Sequence, residues 1–210
     1  MPYPTKPREV VADAVVHIFG LSSAFIGVTL LIQHLSKSEG TAPLVSVSIY
    51  SAALLFALSA SAAYHLLPWE KSRTWLHKID HAAIYFKIAG TYTPLAVLIG
   101  SAFSYAVLAA IWCVALFGAI AKLSFWPTDA RGSLALYLAL GWACLLLIYP
   151  MVQTFPIIAI WLIAIGGMLY TVGTYFFSRP VLPFQNAIWH CFVLAASACF
   201  FGAISLSATA

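Results

Sequence analysis

Ser61 and His65 stand four residues apart, and so do Asn186 and His190. In a helix that spacing stacks two side chains on one face. An imidazole from each of two helices, oriented by neighbouring oxygen groups, suits a borderline ion such as zinc. A metal held this way lowers the pKa of its bound water to about 7 and polarises a carbonyl, which is the chemistry of hydrolysis. Asp80 adds a carboxylate able to accept a proton beside such a metal, and His17 is a further imidazole within reach. Each residue also has a plainer occupation. A membrane histidine donates to a backbone carbonyl or reaches for the interface, a serine one turn earlier bonds its own helix, and Asp80 is placed to cap the N-terminus of a helix.

The elements that must position these groups follow from composition. Of 210 residues 63% are apolar and 8% charged, too little polar side chain to cover a soluble globule. A crossing takes about 20 mostly apolar residues, and seven runs qualify: 13–33, 43–67, 80–99, 103–124, 132–152, 155–177 and 187–207. The breaks carry turn residues, among them Pro68, Gly100, Pro127, Pro180 and Pro183. The gap at Gly100–Ser101 is so short that its turn must be tight. No small-residue cleavage site follows the first run, so it stays as a span, and residues 1–210 read as one transmembrane domain. Cys113, Cys144, Cys191 and Cys199 lie inside apolar runs without paired spacing and read as buried thiols.

Basic residues set the orientation. Lys6, Arg8, Lys71, Arg73, Lys78, Lys122, Arg131 and Arg179 share one side, while Lys37 stands on the other and Lys87 within the third run. The bias puts the N-terminus in the cytoplasm and the C-terminus across the membrane. The expected fold is an all-α membrane protein, a seven-transmembrane helix bundle in a cell (inner or plasma) membrane. Ser61, His65, Asp80, Asn186 and His190, from three helices, then share one depth near the cytoplasmic face. The net charge of +4 needs no nucleic acid to explain it.

Three segments carry a resemblance: S-A-A-Y-H-L-L-P (61–68), I-D-H-A-A-I-Y-F-K-I-A-G-T-Y-T-P (79–94) and N-A-I-W-H-C-F-V-L-A-A-S (186–197). They resemble the signature blocks of the hemolysin III family, the bacterial branch of the progestin and adipoQ receptors. That group includes the adiponectin receptors and is more distantly similar to the alkaline ceramidases. Residues 9–20 resemble its first-span entry and 136–142 its fifth span. The resemblance implies seven helices, a cytoplasmic N-terminus and a zinc site near the cytoplasmic face. In the family the histidine of S-x-x-x-H and two histidines of H-x-x-x-H bind the metal, while the serine and an aspartate hold its water. Carried over, His65 and His190 are ligands, and Ser61 and Asp80 are the water-positioning, catalytic pair.

This chain departs from the pattern at Asn186, where an amide oxygen replaces an imidazole and is a poorer zinc ligand. Three outcomes stay open: Asp80 joins the ligands, Asn186 binds weakly through its oxygen or a water, or the metal is lost. Phe200 stands where the family tends to place another histidine. The functions compatible with this reading are a zinc-dependent hydrolase of a lipid amide or ester with a role in membrane homeostasis, a non-enzymatic regulator sensing membrane lipid through a degenerate site, and a pore. A pore needs a polar stripe along a whole span, and here polar residues gather at one end. His81 and Lys87 belong to the resembling block. His81 is expected to face a neighbouring helix, and Lys87 to pair with Asp13 or Asp80 or reach for the interface. His34 and His77 read as interfacial, His77 the nearer to the site.

Overall fold

The computed structural model describes residues 6–37, 40–127, 131–179 and 181–210, the Arg131 side chain excepted. Residues 1–5 and the expected break at Pro180 lie outside them. Among the described residues eight α-helices build seven long apolar crossings. These are α1 (Pro7–Leu35), α2 (Thr41–Leu66), α3 (Arg73–Ile99), α4 (Ala102–Ser124), α5 (Arg131–Trp142), α6 (Ile148–Thr154), α7 (Ile157–Phe177) and α8 (Gln185–Ala208). The fifth crossing combines α5 and α6 through a tighter 3-10 stretch, Ala143–Leu147. Pro150 accounts for that stretch: it lacks an N–H and its ring crowds the carbonyl of Leu146 one turn back.

Local chemistry sets the ends. Leu67 is extended, as the residue before Pro68 must be, and α2 stops there. Gly100 ends α3 at φ +67, a left-handed conformation that glycine adopts without strain. Ser101 starts α4 with a reciprocal capping box to Ser104, so the turn is as tight as the sequence required. At the other end α3 runs further than its apolar window, from Arg73 rather than residue 80. Asp80 is therefore two turns inside the helix, and its reading as an N-cap is overturned.

α3 is the central helix, packed on α2, α4, α5, α6 and α8, while α1 sits between α2 and α8. With lipid outside, helices gain little by hiding apolar surface and are joined instead by close approach and interhelical hydrogen bonds. Gly90 provides the approach: a Cβ there would stand 2.5 Å from the Ala53 Cβ on α2. The Tyr92 hydroxyl donates to the Leu140 carbonyl at 2.7 Å, Tyr137 to the His81 carbonyl at 2.9 Å, and the Trp112 indole to Thr93 Oγ1 at 3.1 Å. Large apolar side chains such as Phe19, Phe117 and Trp161 point outward, the surface a lipid-facing bundle presents. Cys113 and Cys191 lie on that outer surface and all four cysteines are free, so the expectation of buried thiols is corrected for these two. The reason is that an apolar run in a membrane helix is apolar all round, and cannot say which face turns inward.

Candidate metal centre

Three helices meet at the end of the bundle where α1 and α8 begin and α2 stops. α1 brings Asp13 and His17, one turn apart. α2 brings Ser61 and His65, and α8 brings His190. The three imidazoles pack together, with ring centroids 4.3 Å apart for His17 and His190, 4.6 Å for His65 and His190, and 5.5 Å for His17 and His65. Asp13 sits among them at 1% exposure. Its Oδ1 lies 2.6 Å from His190 Nδ1 and its Oδ2 3.1 Å from His65 Nδ1. One buried carboxylate thus joins histidines far apart in the sequence.

Hydrogen positions follow from partners that can only accept. His17 Nδ1 is 2.8 Å from the Asp13 carbonyl and must donate to it, which makes Nε2 an acceptor. The Ser61 hydroxyl stands 3.2 Å from it and is also within hydrogen-bonding reach of the Asp80 carboxylate, which can only accept. His190 Nε2 is 3.4 Å from the same Ser61 oxygen. Ser61 has one hydrogen to share among His17 Nε2, His190 Nε2 and the Asp80 carboxylate.

Asp13, His65 and His190 each offer a ligand atom, and the three atoms lie within 4.8 Å of one another. Ligands bound to tetrahedral zinc at about 2.0–2.1 Å are about 3.3 Å apart. The 2.6 Å contact is that of the His190 imidazole N–H donating to the carboxylate; His65 Nδ1 and Asp13 Oδ2, 3.1 Å apart, are both buried and make no hydrogen bond. The donor set of two imidazoles and one carboxylate is one zinc accepts. The residues present therefore fit a metal.

Against this group lies a cavity of about 70 Å³, lined by Ser61, His65, Asp80, His81, Lys87 and His190 among other residues. Asp80 is partly buried, within hydrogen-bonding reach of Ser61. Asn186 is buried one turn before His190 on the same helix face. His81 is buried beside His77, whose ring stacks on Tyr64 next to His65 at 4.6 Å. Lys87 pairs with neither Asp13 nor Asp80; its ammonium stands over the Tyr170 ring. Asp13 and His17 are what the sequence reading left out of the ligand set. Their signal was present: an aspartate and a histidine at i and i+4 entering the first apolar run, at the depth of the others.

A seven-crossing membrane protein with a carboxylate and three imidazoles gathered at one end of its bundle is the class that fold and site define. A family model described as Haemolysin-III related matches residues 6–201, and the chain belongs to that family. It is 33% identical to Hemolysin-3 of Bacillus cereus over 195 residues, covering 92% of this chain and 89% of that one. To the Hemolysin-3 homolog of Bacillus subtilis it is 33% identical over 197 residues, 92% of each chain. To the human Monocyte to macrophage differentiation factor it is 31% identical over 204 residues, 93% of this chain and 83% of that one.

Proposed function

We propose that the protein is a metal-dependent lipid hydrolase of membrane homeostasis, its N-terminus and site on the cytoplasmic side of a cell membrane. Asp13, His65 and His190 hold the ion, and Asp80 with Ser61 handles the water. The observation that carries the reading is the Asp13 carboxylate, shared between His65 and His190 in the wall of a cavity that also holds Asp80. Zinc bound there supplies an acidified water and a polarised carbonyl. The chain's own part is to orient and to move protons. Ser61 fixes the water beside the Asp80 carboxylate, which takes its proton as the oxygen adds to the amide or ester carbonyl and returns it to the leaving nitrogen or oxygen. Apolar walls from Leu58, Val193 and Leu194 receive a lipid chain.

The grouping of polar residues at one end favours this over a pore. Buried polar side chains of the other half, Ser46, Thr93 and Ser104, bond to backbone carbonyls, and Leu54 and Leu95 are buried among them, where a conducting path would need continuous polar lining. The assay is release of fatty acid from a short-chain ceramide and an ester analogue by purified, zinc-supplemented protein. Asp80→Asn is expected to lower the rate by about 10²-fold or more, the size of a general-base contribution, with the metal content unchanged. Undiminished hydrolysis, or loss of metal in this variant, contradicts the role given to Asp80.

A further inference from the structure

The metal centre is buried, and a hydrated ion has to reach it. Asp13 and His65 are each 1% exposed. A site of this kind needs an entry path, and a bare divalent charge moved through apolar surroundings is far too costly to make one. Side chains that replace the ion's waters one by one do make one. α3 carries two such side chains outside the ligand set.

His77 and His81 stand four residues apart on α3, and their rings pack edge to face with centroids 4.6 Å apart. That spacing puts two imidazoles on one helix face, the arrangement in which a helix offers two ligands to a single zinc ion. His77 is half-buried and follows Trp75, whose 60% exposure marks the boundary where tryptophans of a membrane protein meet water. His81 is one turn deeper and 4% exposed, and its Nδ1 is buried with no hydrogen-bond partner among the described residues. Leaving a buried polar nitrogen so is costly, and a zinc ion is a partner it accepts. His81 also lines the cavity that His65 and His190 line. Tyr64 ties the outer imidazole to the centre, its ring stacked on His77 at 4.6 Å and edge-on to His65 at 4.7 Å. The pair leads from the membrane boundary to the ligands, and the hydrolytic reading uses neither member.

We propose that His77 and His81 form a transit site for the metal ion, taking a hydrated divalent cation at the membrane boundary and passing it by ligand exchange to His65 and His190. The proposal rests on the metal centre given above and on no hydrolytic step. Both imidazoles act in their neutral form, so each exchange releases only water. The test mixes the purified full chain, stripped by chelator and held in detergent, with zinc and follows the free ion with a fluorescent indicator. His77→Phe keeps a ring against Tyr64 without its nitrogens, and His81→Ala removes the inner imidazole. Each is expected to slow uptake at least about tenfold, the effect of about 1.4 kcal/mol on a barrier. Each should still end at the one zinc per chain and the chelator-sensitive thermal stability of wild type, whereas damage to the packing would lower both. Uptake as fast as wild type in both variants overturns the transit site and leaves the metal centre standing. Slow uptake with a reduced final content makes the pair part of the centre or of its packing, which overturns the transit role as well. A wild type that takes up no zinc overturns the centre and the transit site with it.

Discussion

Asp13→Asn is expected to strip the protein of its metal. The substitution keeps the shape of the side chain and removes its charge, exchanging a carboxylate that meets two imidazoles for an amide, a far poorer ligand. Metal content, near one per chain in the parent, should fall close to zero in chelator-free buffer. Stability should fall too, by two separable amounts. The hydrogen bond from the buried His190 N–H weakens when its acceptor loses its charge, a cost of about 1 kcal/mol. Lost metal removes about 2.7 kcal/mol more if the free ion stood at 100 times its dissociation constant. Thermal unfolding in detergent with and without chelator separates them, since only the second amount is chelator-sensitive. Full metal content in Asp13→Asn would make Asp13 an orienting neighbour and not a ligand.

Metal should return when Asn186→His is added to Asp13→Asn. Position 186 is one turn before His190 on the same face of α8 and buried with it, so an imidazole there points where the ligands gather. The double variant exchanges a carboxylate from α1 for an imidazole from α8 and keeps three ligands. Asn186→His alone, with Asp13 still present, supplies four. Four protein ligands close a zinc site and leave no open position for water. The single variant is thus expected to bind metal at least about tenfold tighter, about 1.4 kcal/mol, and to hydrolyse more slowly. A double variant as poor in metal as Asp13→Asn would show that residue 186 does not reach the ion.

The contrast between Asp13 and Asp80 shows what a sequence of this kind discloses. Seven crossings were legible because membrane thickness fixes the length of apolar runs, and the turn at Gly100–Ser101 because glycine and a capping serine act locally. His65, His190 and Ser61 were legible from four-residue spacing. Asp13 and His17 carried the same four-residue spacing at the start of the first apolar run, but that they meet His65 and His190 depends on α1 lying between α2 and α8, which nothing in the chain states. Contacts between helices are set by small residues such as Gly90 and by hydrogen bonds such as that of Tyr92, which look alike at every position until the bundle is assembled. The outward placement of Cys113 and Cys191 was hidden for the same reason. Asn186 read as a missing ligand, and the structure supplies a carboxylate from another helix at the same cluster.

Metal content of the wild-type chain tests the centre most directly. Purified in detergent without chelator or added metal, the protein should carry close to one zinc per chain by elemental analysis, and His65→Ala and His190→Ala should each carry none while still folding to a helical bundle by circular dichroism. A folded wild type that holds no metal, and takes up none from micromolar zinc, would contradict the account and leave Asp13 as a purely structural clasp between α1, α2 and α8.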